Sequence, residues 1–139
     1  MTMAVESVLL AIVFLASGAV FERATGLQDG ARRSTEDGVY TPEQAQRGAR
    51  IWGESCLRCH QADDFKGSYL RNWAGNTARA LYESIAGTMP EERPGSLKPQ
   101  EYADILAYLF GLNEFPSGKE ELKGDKEALG AIVIERRPK

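Results

Sequence analysis

Apolar residues are unevenly spread along this chain, and their spacing divides it into four stretches. The first, Val8 to Phe21 (VLLAIVFLASGAVF), is almost wholly apolar. It has the length of a signal-peptide hydrophobic region and falls short of the ~20 residues that a bilayer-spanning helix needs. Small residues follow, and Ser17-Gly18-Ala19 predicts cleavage after Ala19. The segment before the run has no Lys or Arg and carries Glu6, so an uncleaved N-terminal anchor helix is the alternative for residues 1–19. Residues 22–40 are polar, rich in glycine and charge, and without a helical stripe, and with Val20 and Phe21 they make up the segment 20–40. They read as a flexible leader.

Helical periodicity begins at Thr41. Thr41-Pro42-Glu43-Gln44 offers a capping threonine, a proline suited to the first helical position and a glutamine placed to complete a capping box. A helix to about Ser55 follows, with Gly48 and Trp52 on one face. A second helix is expected over Thr77 to Ala86, capped by Asn76 or Thr77 and ended by Gly87. The third has the strongest pattern: Pro99 near its start, then Tyr102, Ile105, Leu106, Leu109 and Leu112 at helical spacing, with Gly111 and Asn113 at its end. No strand-like alternation occurs between Thr41 and Asn113. The fourth stretch, residues 114–139, is charged, with a short helix expected around Lys126 to Leu129 and a β-branched run at Ile132-Val133-Ile134.

Composition narrows the chemistry. The 139 residues carry 17 basic and 20 acidic side chains, a formal charge of −3, which disfavours nucleic-acid binding. With 42% hydrophobic and 27% charged residues, the chain has enough apolar material to form a core. Two cysteines and one histidine are too few for most structural zinc sites.

Those three residues stand together as Cys56-Leu57-Arg58-Cys59-His60, the C-x-x-C-H signature of c-type haem attachment. Two thiols separated by two residues on a helical turn match the spacing of the two vinyl groups on one porphyrin edge. The adjacent imidazole then meets the iron from the proximal side. A thioredoxin-like redox pair would need a βαβ setting, and a simple disulfide would not need His60. Export agrees with this chemistry, because covalent attachment takes place outside the bacterial cytoplasm. For the sixth iron position, Met1 and Met3 fall in the signal, leaving Met89 in Ala86-Gly87-Thr88-Met89-Pro90. A thioether is a soft ligand that holds ferrous iron well. Core filling is the alternative role for Met89; Lys66 and Lys98 are substitute ligands.

Over Thr41 to Asn113 the chain resembles the class I cytochrome c family. Gly48, Trp52 and Cys56 repeat that family's glycine, aromatic and first haem cysteine at intervals of four, and Asp104-Ile105-Leu106-Ala107-Tyr108-Leu109 repeats its last-helix pattern. The resemblance implies an all-α fold of three main helices around one covalent haem c, with a C-terminal extension over 114–139. It implies that the first and last helices cross at Gly48, where Ile105 and Tyr108 approach, and that Met89 is the axial ligand. The family often places a proline after the attachment motif whose carbonyl orients the proximal imidazole. No proline lies between His60 and Met89, so another carbonyl must serve. Arg71, Asn72, Trp73 and Tyr69 are the candidates for holding the haem propionates; core packing is the alternative role for Trp73. The run Asn113 to Gly118 and the Glu-Leu segment after it are similar to those of single-haem cytochromes encoded beside quinoprotein dehydrogenases.

The function these features imply is one-electron transfer between periplasmic redox proteins, with a dehydrogenase as donor and an oxidase or another cytochrome as acceptor. The alternatives are a tethered haem subunit of a larger complex, associated with the membrane through the N-terminal helix, and a haem enzyme or gas sensor with Met89 off the iron. The absence of a second histidine argues against acid–base chemistry at the distal face. Intact mass spectrometry of protein made in a haem-maturation-competent host should show one covalent haem and a mature chain starting near Val20. An intact Met1 would instead establish the anchor.

Overall fold

A computed structural model of the chain describes residues 32–137. The expected signal or anchor, and the leader up to residue 31, lie outside the described residues. Helix α1 (Pro42–Ser55) begins where the sequence places it, with the Thr41 hydroxyl accepting from the Gln44 backbone N–H at 3.1 Å. The Gln44 side chain does not close the expected capping box. It is buried, donates to Asp104 Oδ1 (2.9 Å) and to the Leu122 carbonyl (2.7 Å), and accepts from the Leu122 N–H (2.7 Å). A distant backbone segment with both groups unpaired offers this amide more than the helix end does.

The loop after the cysteines holds two short elements too brief to show a stripe in sequence. These are a 3₁₀ turn at Ala62–Phe65 and helix α2 (Ser68–Asn72). Helix α3 (Ala78–Thr88) is capped by Thr77, whose hydroxyl accepts from Ala80 N–H at 3.2 Å. It runs through Gly87, the expected terminator, and ends only where Met89 turns extended. A glycine stops a helix when it adopts the left-handed conformation, and Gly87 does not. Helix α4 (Pro99–Leu112) contains Gly111 and ends at Asn113.

The architecture rests on α1 and α4. A Cβ built on Gly48 would stand 1.9 Å from the Asp104 carbonyl oxygen and 2.9 Å from Tyr108 Cβ. Only a glycine lets the two backbones approach this closely. Tyr108 is thus a neighbour as expected, and the Asp104 main chain lies closer still. The Asp104 carboxylate is buried beside this crossing and accepts from Gln44, Gln100 Nε2 (3.1 Å) and Arg47 Nε (3.0 Å). Arg47 extends the network outward to Glu121. Hydrogen bonds to Glu121 and Asp104 raise the Arg47 guanidinium above its ordinary range.

The folded region starts earlier than the sequence suggests. Strand β1 (Arg33–Ser34) pairs in parallel with β2 (Ile132–Val133), matching Arg33 to Ile132 and Ser34 to Val133. Val39 and Tyr40 are buried, and the Tyr40 hydroxyl donates to the Phe115 carbonyl at 2.6 Å. The expected flexible leader is therefore incorrect for residues 33–40. The pair Val39-Tyr40 docks where the tail begins, with the Tyr40 carbonyl accepting from Gly118 N–H at 2.6 Å. The tail itself wraps the domain: Phe115, Leu122, Leu129, Ile132 and Ile134 are all buried, with α5 (Lys126–Gly130) packed against α3. Among the described residues no helix is long and apolar enough to cross a membrane.

Two glycines on α1 give opposite expectations. Gly48→Ala should destabilise the protein by ~3 kcal/mol or more, because the added methyl meets backbone. Gly53→Ala, where a Cβ meets nothing within 4 Å, should stabilise it by about 0.5–1 kcal/mol through helix propensity. Chemical denaturation of both variants checks the pair.

Candidate functional site

The end of α1 delivers the cysteines. Cys56 caps the helix through its N–H to the Trp52 carbonyl at 2.8 Å. The Cys56 carbonyl then accepts from both Cys59 N–H (3.1 Å) and His60 N–H (3.0 Å). The motif thus continues as one helical turn that carries Cys56, Cys59 and His60 along one edge of the domain. Cys56 is half-buried, Cys59 is exposed, and no disulfide joins them. Burial raises the Cys56 thiol above its ordinary pKa, which favours the neutral form.

Met89 arrives from the other side. It follows the last turn of α3, held by its own N–H to the Ile85 carbonyl (2.8 Å). Its carbonyl accepts from the buried Tyr102 hydroxyl at 2.7 Å. A cavity of about 210 Å³ lies between these elements, lined by Trp52, Cys56, His60, Phe65, Tyr69, Ile85, Met89 and Ile105 among others. A recess of about 30 Å³ is lined by Cys56, Cys59, His60 and Met89 together with charged residues of the rim. The four residues singled out for thioether formation and iron ligation are therefore brought together.

Aromatic rings build the wall. The His60 ring meets the Phe65 ring edge-on at 5.4 Å between centroids, and Phe65 meets Trp52 at 4.7 Å and Tyr69 at 4.5 Å. Burial pushes the Tyr69 phenol up, opposed by a hydrogen bond from the Trp73 side chain. The carbonyl partner foreseen for the His60 ring is not found among the described residues; flanking aromatic rings hold it instead.

Asn113 is a positioning residue that local spacing marks only as a helix end. Its Oδ1 accepts from Gly67 N–H at 2.7 Å, and its Nδ2 donates to the carbonyls of Phe65 (2.9 Å) and Leu109 (2.8 Å). This fixes the Phe65–Gly67 loop, and with it the ring beside His60. The only signal in the sequence was an asparagine closing the strongest helix.

Arg71 and Trp73, expected at the haem propionates, do not line the cavity. Arg71 borders a separate open groove with Lys66, Asn113, Glu114 and Arg137. Trp73 caps α2 and packs, half-buried, against the core, which is the alternative role weighed for it. Tyr69 lies in the cavity wall. A five-residue helix can turn only one side to the cavity, and α2 turns Tyr69.

The donor set fits a c-type haem. It comprises two thiols for thioethers, an imidazole and a thioether sulfur for the two iron faces, and apolar and aromatic walls to exclude water. The one buried polar atom of the wall without a partner is Trp52 Nε1. Among the described residues no cluster of three or more His, Cys, Asp or Glu could hold a bare metal ion.

Comparison with known proteins agrees. Residues 43–109 match the family model described as cytochrome C oxidase, cbb3-type, subunit III. No curated protein and no solved structure matches the chain. The match runs from the first turn of α1 to Leu109 of α4 and takes in the attachment motif, so this chain carries a class I c-type cytochrome domain, with covalently bound haem c and a role in electron transfer.

Proposed function

We propose that the protein is a single-haem electron carrier, with its cofactor attached through Cys56 and Cys59 and its iron held between His60 and Met89. The observation that supports this most is the convergence of these four side chains on one cleft from two separate parts of the chain. When bound, the haem supplies a one-electron ferric–ferrous couple. The protein's part is to hold both axial groups. His60 is braced by Phe65 and Trp52, and Met89 by the end of α3 and by Tyr102. With both positions filled by side chains the coordination changes little on electron transfer, and small solutes find no open site. This argues against the enzyme or sensor reading, which would need Met89 displaced.

The partners belong to the same proposal. Beside the cleft runs an open groove lined by Glu54, Arg58, Glu92 and Arg93 with Pro90 and Leu97. Arg58 pairs with Glu92 across it at 3.4 Å, and Leu57 stands exposed next to the cysteines. This rim carries both signs of charge, unlike a lysine ring built for strong steering. It suits a redox protein that docks through short-range contacts. A dehydrogenase donor is supported by the tail's likeness to dehydrogenase-associated cytochromes, and an oxidase acceptor by the name of the matching family. Periplasmic location follows from the apolar N-terminal run together with the export that haem attachment requires. A haem subunit tethered within such a complex is the second reading, favoured if residues 1–19 are retained.

Met89→Ala should abolish the weak near-infrared sulfur-to-iron band of the oxidised protein and lower its reduction potential by on the order of 0.1 V. Retention of both would assign the sixth position to another residue. Cys56→Ala should leave a single thioether and sharply reduce the yield of holoprotein. Mass spectrometry and a haem stain after denaturing electrophoresis report it.

A further inference from the structure

The Tyr102 hydroxyl is the only side-chain donor to the backbone at Met89 among the described residues. Tyr102 sits in the first turns of α4, is 2% exposed, and is held by the ring of Tyr82, which meets it edge-on at 5.7 Å. Its ring cannot swing away without opening the core, so its hydroxyl is a fixed point. Met89, by contrast, lies where α3 has ended and the chain has turned extended. From Pro90 to Ser96 the chain forms only turns, and most of it is exposed. Within it Gly95 N–H reaches back to the Met89 carbonyl at 3.4 Å. The segment after Met89 is thus short of its own anchors, and the residue itself is fastened to the two helices by one backbone bond to α3 and one phenol bond to α4.

We propose that Tyr102 is a positioning residue for the axial methionine. By donating to the Met89 carbonyl it ties the ligand loop to α4, the helix that crosses α1, and α1 leads directly into Cys56, Cys59 and His60. The two sides of the iron site are then held in fixed relation through two helices locked at Gly48. This inference rests on the reading that Met89 ligates iron. It adds that ligation depends on a hydroxyl that never touches the metal. Its removal lets the loop swing outward, so that an added ligand competes with the sulfur for iron more successfully.

The test uses holoprotein with Tyr102→Phe, which keeps the ring, its burial and its contact with Tyr82. The readouts are the near-infrared sulfur-to-iron band and the affinity of the oxidised protein for added imidazole. Tyr102→Phe should show a weaker band and bind imidazole about five-fold more tightly, the effect of one lost hydrogen bond. The control is Tyr40→Phe, which likewise removes a phenol-to-carbonyl bond from a buried tyrosine, to Phe115, away from the cleft. It should lower global stability by a similar amount and leave both readouts at the parent values. Equal imidazole affinity in Tyr102→Phe and the parent, with the band intact in both, would overturn the role of Tyr102 and leave Met89 ligation standing. A parent protein that lacks the band would overturn both.

Discussion

The close approach of α1 and α4 at Gly48 is the constraint from which the rest of the domain follows. One missing side chain lets the Asp104 backbone lie where a Cβ would otherwise be. That contact sets the direction in which α1 ends, and so the direction in which the attachment motif leaves it. It also places Tyr102 and Asn113, near opposite ends of α4, against the loops carrying Met89 and Phe65. The cleft is thus organised by a helix that contributes little of its lining. Packing at a crossing is stiff, because backbones in contact have no rotamers to yield.

Polar groups fasten this crossing to the tail. Asp104 is buried but receives hydrogen bonds from Gln44, Gln100 and Arg47, so its charge is compensated from several sides. Gln44 and Gln100 both also reach the Leu122 backbone, and Glu121 takes up the outer face of Arg47. The segment around residues 121–124 therefore belongs to the core of the domain in an energetic sense. Removing one member would leave a buried partner unsatisfied.

Much of this was legible beforehand, and the pattern of what was not is physical. The helices α1, α3 and α4 show in sequence because each carries a local signal: a capping hydroxyl, a stripe of apolar residues, a proline at the first turn. The attachment motif shows because its chemistry is compressed into five consecutive residues. Gln44, Asn113 and Tyr102 were read only as a cap, a helix end and a core residue, since their partners lie at Leu122, Phe65 and Met89. Such roles are defined by tertiary neighbours and leave no mark on local spacing. The same reason explains residues 33–40. Their polar composition suggests a leader, yet Val39, Tyr40 and two strand residues suffice once a complementary surface is supplied from the far end of the chain. That Tyr69 lines the cavity wall while Arg71 and Trp73 do not was not legible, because nothing in the loop's sequence fixes which side of α2 turns to the cavity.

The pairing of β1 with β2 has a mechanical consequence. The strands run in the same direction, so the polypeptide enters at one end of the ladder and departs at the other. Tension applied through the preceding and following chain therefore slides the two strands lengthwise past each other. Both rungs, together with the Arg137–Glu36 ion pair, resist at once, where a hairpin would unzip rung by rung. A haem domain drawn along on a tether would meet that load at this small clasp before any of it reached the helices that frame the iron.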